Sequence, residues 1–276
     1  MDKISAVASL QSLVRKNSSA IPLYEGALII ASAFDPDVEI SEQLTLLDNL
    51  SHAARQDINS EQNPLQMVNA LNSYLFDHLG LIGNESNYYD PRNSFVNQVL
   101  KNRTGIPITL SLIYIEIGRK LGIPFEGVGM PGHFLVRHAN EVSFYIDPFH
   151  RGAILSKDEC ANLMQKTNPS IRWSDNFLLP ISNIEILARI LRNLCAIWLQ
   201  QRQTANAILS LTLLITLQPD ELGHYRDRGM LFYQSNSPGK ALDDLSLYLT
   251  KTVAAPDKWY VQRVINSIQL GENLPN

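Results

Sequence analysis

The chain has 276 residues, 45% of them hydrophobic and 18% charged, with a formal net charge of −4. That length buries a substantial core in one large domain or two ordinary ones. The mild acidity excludes a global basic field, and no segment approaches ~18 uninterrupted apolar residues, so neither nucleic acid nor a membrane is expected as a partner.

Met1 to Ala20 carries no hydrophobic block of the signal-peptide type, and a cytoplasmic chain is expected. The two cysteines, Cys160 and Cys195, form no Cys-x-x-Cys, and the six histidines show no His-Glu-x-x-His. No disulfide framework, metal centre or cofactor is therefore expected.

Residues 1–82 read mainly as helices. The apolar run Ala27 to Ala33 ends at Asp35-Pro36, and Ser41 to Ala54 spaces Leu44, Leu47 and Leu50 as an amphipathic helix. Pro64 opens another, with Val68, Leu71, Leu75 and Leu79 as its buried stripe and Gly80 and Gly83 at its end. Asn84 to Pro91 has the chemistry of a loop. After a short helical stretch from Ser94 to Leu100, Pro107 begins a central helix with Leu110, Ile113, Tyr114, Ile117 and Leu121 on its apolar face. It stops at Gly122 and Pro124.

Three strands are expected next: Phe125 to Val128, Phe134 to Arg137 and Val142 to Ile146. A three-residue loop, Ala139-Asn140-Glu141, makes the last two a hairpin and sets His133 opposite Asp147, within ~5.5 Å at the β-carbons. Arg137 reads as a solvated strand position. Ser156 to Glu159 fits a capping box for a helix holding Cys160 and Leu163, and Asn168 to Pro180 reads as a linker.

From there the chain is helical and repeats. Ala207 and Ala241, Cys195 and Gly229, Trp198 and Phe232, and Leu211 and Leu245 all recur at the ~34-residue period of tetratricopeptide helix pairs. Small residues let the helices of a hairpin approach, and Cys195 occupies such a place. Arg228 stands where the pattern ordinarily has an apolar residue, so the second repeat is the weaker match.

The helix from Pro107, His133 and Asp147 follow the order and spacing of papain-like chemistry. There a nucleophile at a helix N-terminus has its pKa lowered by the dipole, a histidine on a strand takes its proton, and a carboxylate orients that histidine. Pro107 offers no nucleophilic atom. Thr109 and Ser111 carry hydroxyls that reach His133 only if the helix shifts, and capping or back-bonding is the plainer reading of both. Cys160 lies in the first turns of its own helix, where the dipole argument applies again; packing is its competing role. His133 and Asp147 serve either a function or a lock on the hairpin.

Five blocks carry a resemblance to a known family: Tyr88 to Ser94 (Y-Y-D-P-R-N-S), Arg103 to Ser111 (R-T-G-I-P-I-T-L-S), Gly127 to Arg137 (G-V-G-M-P-G-H-F-L-V-R), Ile146 to Phe149 (I-D-P-F) and Arg226 to Gly229 (R-D-R-G). In these the chain resembles the bacterial SirB-type proteins, which join a transglutaminase-like domain to tetratricopeptide-like repeats. The resemblance implies an α+β fold with a papain/transglutaminase-like core, a helix packed on a small antiparallel sheet. Aligned on its shared R-x-L-G-I-P, the active transglutaminase pattern puts the nucleophile position at Pro107, with His133 and Asp147 matching the other two. It also makes Tyr88, Tyr89, Asp90 and Asn93 candidates to line a binding cleft with Pro107, Thr109, His133 and Asp147.

The expected organisation is a helical region over 1–82, a transglutaminase-like core over 83–168 and repeats over 181–276. The expected function is a non-catalytic interaction module, possessing a protein or peptide partner. The competing reading is a cysteine-dependent acyl-transfer or amide-hydrolysing enzyme using Cys160 with His133 and Asp147.

Overall fold

The computed structural model describes residues 2–17, 21–56, 58, 63–253 and 255–271. Met1, Ala20 and 272–276, which bound segments named above, lie outside the described residues. The chain divides into two compact units, Met1–Ile190 and Leu191–Asn276.

In the first unit, Asp2 accepts a hydrogen bond from the Ser5 amide at 2.8 Å and caps α1 (Lys3–Lys16). The apolar run becomes α2 (Leu23–Phe34), buried along nearly its whole length and ended at Asp35. In α3 (Ile40–Ala54) Leu47 is fully buried, while Leu44 and Leu50 are half-buried. A reciprocal Asn63–Gln66 capping box and Pro64 start α4 (Pro64–Asn72), which continues as a π-helical turn over Ser73–His78. Val68, Leu71 and Leu75 are buried as the spacing predicts. A short parallel pair follows, β1 (Ile82–Gly83) with β2 (Thr104–Gly105), enclosing α5 (Val96–Asn102).

The central helix α6 (Pro107–Leu121) is buried on nearly every side, packed by α2, α3 and α5 and by the strands β3 (Phe125–Val128) and β4 (Leu135–His138). It ends at Gly122 in the left-handed conformation. An antiparallel sheet in the order β3-β4-β5-β6 is completed by β5 (Glu141–Asp147) and β6 (Ala153–Leu155). The hairpin register differs from the expected one. Its turn is the two residues Ala139 and Asn140, pairing His138 with Glu141, and a bulge follows before Val136 pairs with Ile146. His133 therefore precedes β4 instead of lying within the pairing. Arg137 is not a solvated residue: it pairs across the strands with Glu126, at 2.7 Å.

Ser156 and Glu159 form the expected capping box of α7 (Lys157–Thr167). The segment expected as a linker is part of this unit's core. Ile171, Trp173, Phe177 and Leu178 pack against Val128, Met130, Leu135, Cys160 and Met164, and the Ile181 amide donates to the Gly127 carbonyl at 2.9 Å.

Five helices follow among the described residues: α8 (Asn183–Gln200), within which the two units meet in sequence, α9 (Thr204–Leu217), α10 (Leu222–Gln234), α11 (Pro238–Lys251) and α12 (Lys258–Leu270). In the second unit the small residues of the repeat are buried: Ala207 and Ala241 are fully enclosed, and a Cβ on Gly229 would stand 2.8 Å from Leu245 Cγ. Glycine there lets α10 and α11 approach. Arg228 is accommodated by a forked ion pair with Asp244, both bonds at 2.8 Å. α12 closes the second hairpin, with Val261, Val264 and Ile265 against Leu245 and Tyr248. Among the described residues, no helix is long and apolar enough to cross a membrane.

Candidate functional site

The site lies on the first unit, where the turn before β4 meets the end of β5. Gly132 adopts φ +72°, which lets the chain turn through Pro131-Gly132 so that the His133 amide donates to the Met130 carbonyl at 3.2 Å. His133 Nε2 lies 2.8 Å from Asp147 Oδ2, with both side chains buried.

Asp147 closes β5, and Pro148 then opens a single 3-10 turn, Pro148–His150. Asp147 Oδ1 accepts the amides of Phe149 (3.1 Å) and His150 (3.3 Å), and that turn delivers a second imidazole: His150 Nδ1 lies 2.7 Å from the same Oδ2. The carboxylate thus has two backbone donors on one oxygen and two rings on the other. Burial works to raise its pKa, but the hydrogen bonds and charges of His133 and His150 outweigh it and hold the carboxyl at about 2. His150, half-exposed, is raised above its ordinary value chiefly by the Asp147 bond, against some burial; Glu85 adds to the rise.

The surrounding loop is built on Asn93. Its amide nitrogen donates to the carbonyls of Asn87 (2.8 Å) and Tyr88 (3.2 Å), and its Oδ1 accepts from Asn84. Asp90 turns away, caps its own turn and pairs with Arg92 at 2.6 Å. Tyr88 lies edge-on to Phe149, with ring centroids 6.3 Å apart, and Phe149 in turn meets His133 edge-on at 6.1 Å. Tyr89 is largely exposed beside Tyr88. His133, Asp147, Phe149 and Tyr88 are therefore one contiguous group, while Asp90 contributes to the frame of the loop.

The positions where a nucleophile would be sought, Pro107, Thr109, Ser111 and Cys160, are all buried. Pro107 is buried as the first residue of α6. The Thr109 hydroxyl donates to the Asn93 carbonyl at 2.7 Å and accepts from the Ile106 amide at 3.2 Å, tying helix to loop. Ser111 is fully buried and directed to the Phe134 carbonyl. Cys160 is enclosed among Val128, Met130, Leu135 and Met164, and burial, with Asp147 and Glu159 adding to it, pushes its thiol up to about 12. A thiol with that pKa is almost wholly protonated at neutral pH.

Two neighbours escaped the sequence reading. His150 follows the I-D-P-F block at once, and a histidine three residues beyond a buried aspartate in a proline-started turn was the signal available. Arg189, on α8, donates to the carbonyls of Met130 and His133, both at 3.2 Å, and lies over the Phe134 ring. It braces the turn that presents His133. Nothing local in the sequence around Arg189 marks a contact so far along the chain.

Residues 41–192 match the family model described as the transglutaminase-like superfamily, which spans the sheet, α6 and both members of the His–Asp pair. The chain belongs to this superfamily. Residues 194–265 match a tetratricopeptide repeat model, so a transglutaminase-like domain is followed by repeats. The chain is 36% identical over 247 residues to a UPF0162 protein of Xylella fastidiosa, covering 86% of each chain. It is 26% identical over 260 residues to a UPF0162 protein of Vibrio cholerae, covering 93% of this chain and 96% of the relative. A shorter stretch, 108 residues at 41% identity, is similar to the human F-box only protein 21, covering 36% of this chain and 17% of that protein. No solved structure matches the chain. Within the matched transglutaminase-like region, the His–Asp pair is in contact and Pro107 is the first residue of α6.

Proposed function

We propose that this chain is a non-catalytic, cytoplasmic, regulatory interaction protein, in which a transglutaminase-like cleft without a nucleophile and a set of tetratricopeptide repeats bind a protein or peptide partner. The observation that carries this reading is the state of the candidate nucleophiles. Pro107 has no reactive atom, Thr109 and Ser111 are buried against backbone carbonyls, and Cys160 is a core residue with a thiol near 12. Acyl transfer needs a nucleophile within hydrogen-bond reach of its base and able to ionise.

The repeats supply the second support, since stacked helix pairs present grooves suited to helices and extended peptides. Tyr88, Tyr89 and Phe149 set an amphipathic aromatic group beside the His–Asp pair, of the kind that recognition sites favour. The reading that uses Cys160 as a displaced nucleophile is opposed by the burial of its sulfur.

Affinity capture from cell lysate, comparing the full chain with one ending at Ile190, tests the proposal. The expected result is a protein retained by the full chain and lost or weakened without the repeats. Capture of no protein by the full chain, at any salt concentration, would contradict it.

A further inference from the structure

The His133–Asp147–His150 cluster holds more than a catalytic-type pair requires. One imidazole suffices to meet Asp147, yet a second ring, on a half-exposed residue with free access to solvent, is turned inward onto the same oxygen. The two rings lie 5.7 Å apart, 30° from parallel, and both are wedged by Phe149, at 6.1 Å from His133 and 5.2 Å from His150. Their nitrogens and the carboxylate oxygen all fall within 4.8 Å of one another.

We infer that His133 Nε2, Asp147 Oδ2 and His150 Nδ1 form a site for a divalent transition metal of the zinc class, a juxtaposition that goes beyond the binding function proposed above and stands or falls independently of it. Two histidines and one carboxylate are a ligand set zinc accepts, with bonds of about 2.0–2.2 Å to nitrogen and oxygen. A tetrahedral ion sets its ligand atoms about 3.3 Å apart, so each nitrogen–oxygen gap, now 2.8 and 2.7 Å, opens by roughly half an ångström. The half-exposed His150 can open its own gap without disturbing the core, while the gap between the buried His133 and Asp147 opens by a small rotation of the His133 ring.

The outer contacts suit the role. Asp147 Oδ1 is fixed by two backbone amides, so the carboxylate keeps Oδ2 pointed at the rings, as second-shell bonds do in metal sites. Arg189 and Phe149 hold the remaining freedom of His133 by fastening its turn and packing its ring. Three protein ligands leave a zinc ion a fourth position for water or an added carboxylate. The linear spacing of the histidines carries no metal motif because the ligands are gathered by a turn, a strand end and a 3-10 turn.

Zinc titration of the chelator-treated full chain by calorimetry tests the site, with cobalt absorption as a second readout. The expected result is one saturable site, with His150→Ala weakening it at least tenfold, the loss that even second-shell changes produce. Cobalt should give visible bands without thiolate charge transfer, and these should vanish in Asp147→Asn. His150→Ala lies on the surface side and leaves the fold intact by circular dichroism, so it separates ligand loss from unfolding. Absence of saturable binding up to about 1 mM zinc, or equal binding by wild type and His150→Ala, would overturn the inference.

Discussion

Replacing Asp147 with alanine lowers the unfolding free energy by about 3 kcal/mol, since each buried donor left without its acceptor costs about 1–3 kcal/mol and Asp147 serves more than one. Asp147 is 1% exposed and serves four donors: two imidazoles and the amides of Phe149 and His150. Its loss leaves the buried His133 ring without its acceptor, and the 3-10 turn after β5 loses its cap. His150→Ala removes the half-exposed contact alone, so it costs below about 1 kcal/mol. Urea denaturation of the full chain, followed by far-ultraviolet circular dichroism, measures both. An Asp147→Ala variant as stable as wild type would mean that the cluster does not organise the sheet end.

The second large effect lies in the repeats. Arg228, at an ordinarily apolar position, and Asp244, 6% exposed, share a forked bond pair, and Arg228 also lies over the rings of Tyr225 and Phe232. Asp244→Ala strands the guanidinium and lowers stability by about 3 kcal/mol. The double variant Arg228→Leu with Asp244→Leu recovers most of that loss, because removing both charges together removes their desolvation cost as well. A double-mutant cycle by thermal denaturation reads the coupling. If the double variant is less stable than Asp244→Ala, the pair holds the hairpin by geometry that apolar packing does not replace.

What the sequence made legible was local. Pro64 and Pro107 at helix starts, Gly122 at a helix end and the Ser156–Glu159 box each carry their structural meaning within a few residues. The repeat was readable because its small residues recur at a fixed period. The contact of His133 with Asp147 was expected for an incomplete reason: the hairpin carries a bulge after a two-residue turn, and His133 reaches the carboxylate from outside the ladder. A bulge leaves no reliable trace in an alternating pattern.

Arg189 and the packing of Trp173 and Phe177 were invisible for a different reason. Their partners come from strands and turns dozens of residues away, and only the closed fold brings them together. Cys160 shows how the same helix-start position serves opposite ends. The dipole favours a thiolate there, but enclosure by apolar side chains reverses the balance.

The central proposal is that no group beside the His133–Asp147 pair accepts an acyl chain, and trapping tests it most directly. The full chain is incubated at neutral pH with activated acyl esters and a glutamine-bearing peptide, then weighed intact, with His133→Ala alongside. The account predicts an unmodified mass for both proteins and no amine incorporation above the His133→Ala background. A covalent acyl adduct on Cys160, Thr109 or Ser111 that forms in wild type and disappears in His133→Ala would contradict it.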